Sequence, residues 1–273
     1  MSKINLALIS PNQNAYSETF IQAHKKYLDA NINYLYGYLS HFLNDDWLPL
    51  MAEGKGALVK LTLPNLIRKY LTKKMLPQRL NFHENALLEY LKENRIDVVF
   101  AEYGITGASV RRVCQLLNIP LIVYFLGLDA YVKEFIDHHL LSYKSLFRDA
   151  TAIVVVSLDM KKQLIRLGCP AAKIVVNYCG PDSSFFGVCN PYNSKTLIAI
   201  GRFVDKKSPQ STIRAFSIAV KSHADGGPVA GRAKWTHREQ RPHMFEPRKR
   251  VTEYESVKLS PLPAADIISH FIR

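Results

Sequence analysis

Short apolar runs alternate along this chain with stretches of helical period. Residues 4–10 are an apolar run of the length of a buried strand. Ser17 stands where a cap would open the next helix, which gathers Phe20, Ile21, His24, Tyr27 and Leu28 on one face. Beyond a polar and basic stretch, residues 81–94 read as helix, 97–103 (DVVFAEY) as strand, 106–117 as helix and 120–125 (PLIVYF) as strand. The run TAIVVVS at 151–157 is apolar and β-branched throughout, as a parallel strand covered on both faces requires. A helix over 160–167 stops at Gly168, a residue suited to a helix C-terminus, and 173–178 (KIVVNY) is a further strand. Repeated strand–helix–strand units predict an α/β fold, a doubly wound parallel sheet with helices on both faces.

The pattern changes after residue 180. Residues 180–195 are rich in Gly, Pro, Asn and Ser and read as a linker. A strand at 196–200 and a helix over 209–221 then form the first βα unit of a second domain. The expected division is a Rossmann-like domain over 1–187, a linker and first βα unit over 188–224, and a tail over 225–273. The tail shows neither period, carries Pro228, Pro242, Pro247, Pro261 and Pro263, and is expected to be disordered. A shifted reading frame and a nucleic-acid-binding arm are alternative readings of it.

Composition narrows the class. With 48% hydrophobic and 22% charged residues, the 273-residue chain is of globular type. Cys114, Cys169, Cys179 and Cys189 form no C-x-x-C pair, which argues against a disulfide scaffold or a zinc site. The net charge is +13. It is concentrated: residues 54–83 carry seven basic residues and no acid, and residues 226–250 carry seven basic residues against Glu239 and Glu246. Charge gathered in two windows does not describe a general nucleic-acid surface, and no nucleic-acid reader motif accompanies it. No run of about 18 apolar residues is present, so a cytoplasmic location is expected, with peripheral contact at the inner face of a membrane left open.

Five segments in order carry a family resemblance: SPNQNAYSETFI (10–21), AEYGITGA (101–108), IPLIVYFLGLDAY (119–131), VVVSLDMKKQLIRLGCPAAKIVVNYCGPDSSFF (154–186) and LIAIGRFVDKKSP (197–209). Together they resemble the retaining family-4 glycosyltransferases of the GT-B fold, in which two Rossmann-like domains face a cleft. The resemblance implies a GT-B-like chain with one complete Rossmann-like domain and a second that stops short. It implies transfer of a hexose from a nucleotide-sugar donor to a glycan or lipid-linked acceptor, in polysaccharide or cell-envelope glycan biosynthesis. No cofactor or metal is implied, since the nucleotide sugar is itself a substrate.

The resemblance also implies roles for residues. Arg202 and Lys207 match the family's donor-phosphate pair, where positive charge stabilises the departing diphosphate. Ser17, Glu18 and Thr19 match a donor-facing loop, although a plain capping role for Ser17 is equally open. Asp129 is a catalytic candidate on the acceptor side, with a helix-terminal acid as the alternative. Gly104, Gly127 and Ser157 are expected to line the cleft. Gly180 and Asp182 match a turn before the linker. Three departures stand out: Leu126 occupies the position of the family's histidine, Ser208 one where glycine is frequent, and no glutamate pair of the family's spacing follows Arg202. Impaired or absent activity is therefore expected, and the alternative function is a non-catalytic membrane-associated or partner-binding remnant. For the membrane, residues 64–80 set Ile67, Tyr70, Leu71 and Met75 against Arg68, Lys69 and Lys73, with Lys74 adjacent. Such a helix suits a solvated face or an anionic surface, the latter contributing about 1 kcal/mol per basic residue.

Overall fold

The apolar runs become the inner strands of one sheet. A computed structural model describes residues 3–13, 18–37, 50–58, 80–181, 197–202, 207–222, 231–236 and 259–261. Strands β1 (Asn5–Ser10), β2 (Asn31–Tyr36), β5 (Val98–Glu102), β6 (Leu121–Phe125), β7 (Ala152–Val155) and β8 (Ile174–Val176) are parallel. The short β3 (Met51–Ala52) and β4 (Gly56–Ala57) add an antiparallel edge, and the order is β4-β3-β2-β1-β5-β6-β7-β8. The chain steps outward from β1 to β2 and later returns on the other side of β1 to form β5. The direction of winding therefore reverses between β1 and β5, and a parallel sheet opens a crevice at the carboxyl ends of such a strand pair.

Side chains alternate across the sheet and build two cores. Ala7, Ile9, Val99, Val123 and Val155 face one side with α2 (Phe82–Glu93), α3 (Gly104–Leu117), α5 (Lys133–Asp149) and α6 (Leu158–Arg166). Leu6, Leu8, Phe100, Ile122 and Val154 face the other, against Ile21 of α1 (Thr19–Tyr27). A five-residue helix, α4 (Gly127–Tyr131), joins β6 to α5.

Local chemistry explains where helices begin and end. Asn81 Oδ1 accepts from the Glu84 amide at 2.9 Å, while Glu84 accepts from the Asn81 amide at 2.7 Å, so α2 opens on a reciprocal capping box. Helix α6 closes at Gly168, whose φ of +98° suits glycine. There the Gly168 amide donates to Ile165 and the Cys169 amide to Leu164, both at 2.9 Å, satisfying carbonyls that the helix end would leave open. Gly104 is required by space: a Cβ there would stand 2.4 Å from the Phe125 ring and 3.0 Å from Tyr143.

The structure adds to the pattern read from sequence and corrects it in places. Helix α3 starts two residues earlier than its periodicity predicts, at Gly104. In α1, Ile21 and His24 are buried as expected, but Tyr27 is exposed and Ala23 takes an inward position. β2, α4 and the long α5 escaped notice, although α5 buries Ile136, His139, Tyr143, Leu146 and Phe147 at helical spacing.

The chain divides into two units, Met1–Ser183 with Ser256–Arg273, and Ser184–Glu255. Within the first, β9 (Cys179–Pro181) pairs antiparallel with β12 (Leu259–Pro261). Within the second, β10 (Leu197–Arg202) leads to α7 (Pro209–Ser222) and to β11 (Gly231–Thr236), which pairs in parallel with β10. β11 and β12 lie inside the stretch that shows no period in sequence.

Candidate functional site

The carboxyl ends of β1, β5, β6 and β7 converge on one edge of the first sheet. At the β1/β5 reversal, Ser10, Asn12, Glu18, Glu102 and Tyr103 form a polar network. Ser10 Oγ lies 2.7 Å from the Tyr34 hydroxyl, and both donate to the Asn12 carbonyl, at 2.8 and 2.9 Å. Glu18 Oε1 accepts from Asn12 Nδ2 at 3.1 Å and from the Tyr103 hydroxyl at 2.8 Å. Burial, reinforced by the Glu18 charge, pushes the Tyr103 phenol up, so it remains a donor.

One strand residue earlier, Glu102 is completely buried, with Oε1 2.6 Å from His24 Nδ1. The imidazole is enclosed edge-on by Phe20, Phe100 and Tyr124. Glu102 Oε2 and Glu18 Oε2 are buried without a hydrogen-bond partner among the described residues. The backbone turns sharply between these groups. Tyr103 has φ +72° and ψ +146°, a region that side chains avoid at a cost of about 1–3 kcal/mol. Its amide bond to the Tyr124 carbonyl (2.9 Å) and its hydroxyl bond to Glu18 hold it there.

Asp129 is fully buried. Its Oδ2 accepts from the Gly104 amide at 2.6 Å and its Oδ1 from the Leu126 amide at 2.9 Å. The side chain thus ties the start of α3 to the end of β6. Burial pushes its carboxyl up to about 7, against the opposing pull of these amides and with a further push from Glu102. Its geometry is that of a positioning group. Leu126 lies half-buried against the core shared with Phe20 and Tyr124.

Ser157 accepts from the Met160 amide at 3.0 Å and caps α6. Gly104 and Gly127 open α3 and α4 at the same edge. Thr19 opens α1. Ser17, Asp182, Arg68, Lys69, Lys73 and Lys74 lie outside the described residues. In the second unit, Arg202 ends β10, Lys207 is exposed, and Ser208 has φ +47°. That left-handed backbone favours glycine, which gives a physical reason for glycine at this position in the family pattern. Among the described residues, no group of three His, Cys, Asp or Glu side chains is arranged to hold a metal.

Sequence reasoning missed Glu102, Tyr103 and the pairing of His24. His24 was counted in the inward face of α1, and a polar residue on an apolar face was the available signal. Nothing in the sequence pairs it with Glu102, which lies 78 residues away.

The Glycosyltransferase Family 4 model matches residues 50–185, the segment that builds β3 to β9 and, with them, the β5, β6 and β7 part of this edge. Residues 50–185 belong to glycosyltransferase family 4. Among curated relatives of this chain, "Putative colanic acid biosynthesis glycosyltransferase WcaL" of Escherichia coli (strain K12) is 28% identical over 126 residues, 44% of this chain and 31% of that protein. The amylovoran biosynthesis glycosyltransferase AmsK of Erwinia amylovora is 24% identical over 127 residues, 45% of this chain and 31% of AmsK. The matched part thus spans just under a third of the length of these relatives. The crystal structure of Anabaena Alr3699/HepE in complex with UDP is similar with a TM-score of 0.53 and 17% identity, covering 79% of this chain and 57% of that one. The likeness shows the fold: the family-4 segment lies in an α/β, GT-B-like parallel sheet.

Proposed function

We propose that this chain is a glycosyltransferase of envelope polysaccharide biosynthesis that uses a nucleotide-sugar donor and a glycan or lipid-linked acceptor. The observation that carries the reading is that the family-4 segment builds β5, β6 and β7, three of the four parallel strands whose carboxyl ends form the site edge. The relatives named for colanic acid and amylovoran biosynthesis support the polysaccharide context, and the UDP complex of the similar fold supports a uridine nucleotide. In this reading the first unit receives the acceptor. Arg202 and Lys207 hold the donor diphosphate, where cationic groups stabilise charge as the sugar–phosphate bond breaks.

Leu126 favours a second reading, binding with little turnover. An isobutyl group neither donates a hydrogen bond nor polarises a reacting sugar, and this one packs on apolar neighbours. Isothermal titration with UDP and UDP-glucose, alongside a UDP-release assay, separates the two. Binding weakened by Lys207→Ala, with UDP release above the buffer rate, supports the enzyme. Binding with release at the buffer rate supports the non-catalytic remnant. Absence of nucleotide binding overturns both.

No helix among the described residues is long and apolar enough to cross a membrane. The basic segment carrying Arg68, Lys69, Lys73 and Lys74 is proposed to rest on anionic lipid at the inner face of the membrane. Co-sedimentation with phosphatidylglycerol vesicles tests this: unchanged binding after charge reversal at Lys69, Lys73 and Lys74 counts against it.

A further inference from the structure

The β6/β7 end of the site edge differs from its β1/β5 end in leaving large side chains in the open. Leu128 is 48% exposed, Tyr131 45% and Leu158 58%. Leu128 and Tyr131 share a face of α4, and Leu158 opens α6 beside them. The Tyr131 hydroxyl donates to Asp159 Oδ2 at 2.6 Å, joining the two helices. Ser157, one residue before α6, caps that helix by accepting from the Met160 amide. The bond to Asp159 restrains the phenol ring, so less side-chain freedom remains to be lost on binding. Burial and the Asp159 charge push the phenol up from its ordinary value, which keeps it a donor. Asp159 is exposed, and its Oδ1 takes no hydrogen bond from the described residues.

We infer that Tyr131 and Asp159, flanked by Leu128 and Leu158, form a subsite for a neutral pyranose ring of the acceptor. The exposed ring offers a flat apolar face of the kind that packs on the C–H face of a hexose. The open carboxylate oxygen beside it accepts a sugar hydroxyl. A phosphate is disfavoured at the same place, because the Asp159 carboxylate repels it. The arrangement is a rigid aromatic anchor with a few placed polar groups, as small-ligand sites require. It lies at the carboxyl ends of β6 and β7, continuous with the edge that carries Leu126 and Gly127.

This inference rests on the glycosyltransferase reading, and one experiment keeps the two apart. Saturation-transfer difference NMR is run on the full chain with α- and β-linked disaccharides of glucose, galactose and mannose, and with UDP in a separate arm. The expected result is transfer to the ring protons of at least one disaccharide. Tyr131→Ala and Asp159→Asn should each weaken that binding by about tenfold, with UDP binding unchanged. Asp159→Asn retains an oxygen to accept the Tyr131 proton, so the tie between α4 and α6 survives and thermal melting should not move. No transfer to any disaccharide, equal binding by both variants, or displacement of the disaccharide by UDP overturns the subsite. Disaccharide binding that depends on Tyr131, with no UDP binding at all, supports the subsite and fails the glycosyltransferase reading.

Discussion

The two halves of the sheet edge treat polar side chains in opposite ways. At the β1/β5 reversal, Glu102 and His24 are sunk into the aromatic core, and Glu18 accepts from both Tyr103 and Asn12 within the protein. At β6/β7, Tyr131 and Asp159 make one bond between them and leave an aromatic face and a carboxylate oxygen outward. Similar residue types therefore shape the scaffold in one half and offer contacts in the other. Depth decides which, because a buried carboxylate can draw partners only from the protein, whereas an exposed one can exchange water for a ligand.

The comparison breaks most sharply at His24. His24→Leu leaves the Glu102 carboxylate buried without the partner of its Oε1, and the expected loss is about 3–5 kcal/mol in urea unfolding. The double variant His24→Leu/Glu102→Leu should recover most of that loss. A double variant as unstable as the single one would show that the pair does not act as a unit. Gly104→Ala comes next, with an expected cost of about 2–3 kcal/mol as the new methyl group displaces the Phe125 ring.

Asp129 sharpens the comparison through pH. Its folded-state carboxyl is raised from 3.8 to about 7, so the folded protein binds the proton more tightly than the unfolded chain. The contribution of this group is greatest below the unfolded value and is lost as pH rises through the folded one. Between about pH 4 and 7, the stability of the wild type minus that of Asp129→Asn should fall with increasing pH. A difference that rises or stays flat would contradict a buried, raised carboxyl. The smallest effect is expected in the exposed half. Ser157→Ala removes a helix cap, which should cost about 1 kcal/mol in the same unfolding measurement.

The scaffold was largely legible in the sequence, and the site was only partly so. The run TAIVVVS announced β7 because a strand covered on both faces leaves no room for polar residues. Gly168 announced the end of α6 because few other residues accept its backbone. Asp129 was singled out with two roles open. Its burial and paired amide bonds give the side chain a positioning geometry that its place in FLGLDA could not reveal. Ser157 was expected at the cleft, and its capping bond to the Met160 amide forms only once the chain turns from β7 into α6.

The sequence by itself determined the alternation of strands and helices, the parallel character of the sheet and the family of residues 50–185. Those follow from local signals: apolar runs, helical period, and motifs with fixed spacing. Only the tertiary structure decided that β1 and β5 are neighbours, that His24 meets Glu102, that Tyr103 is held in a strained turn, and that Tyr131 and Asp159 share a proton bond at the surface. Each of these joins residues far apart in the chain, and their chemistry is set by burial and distance, which no local pattern encodes.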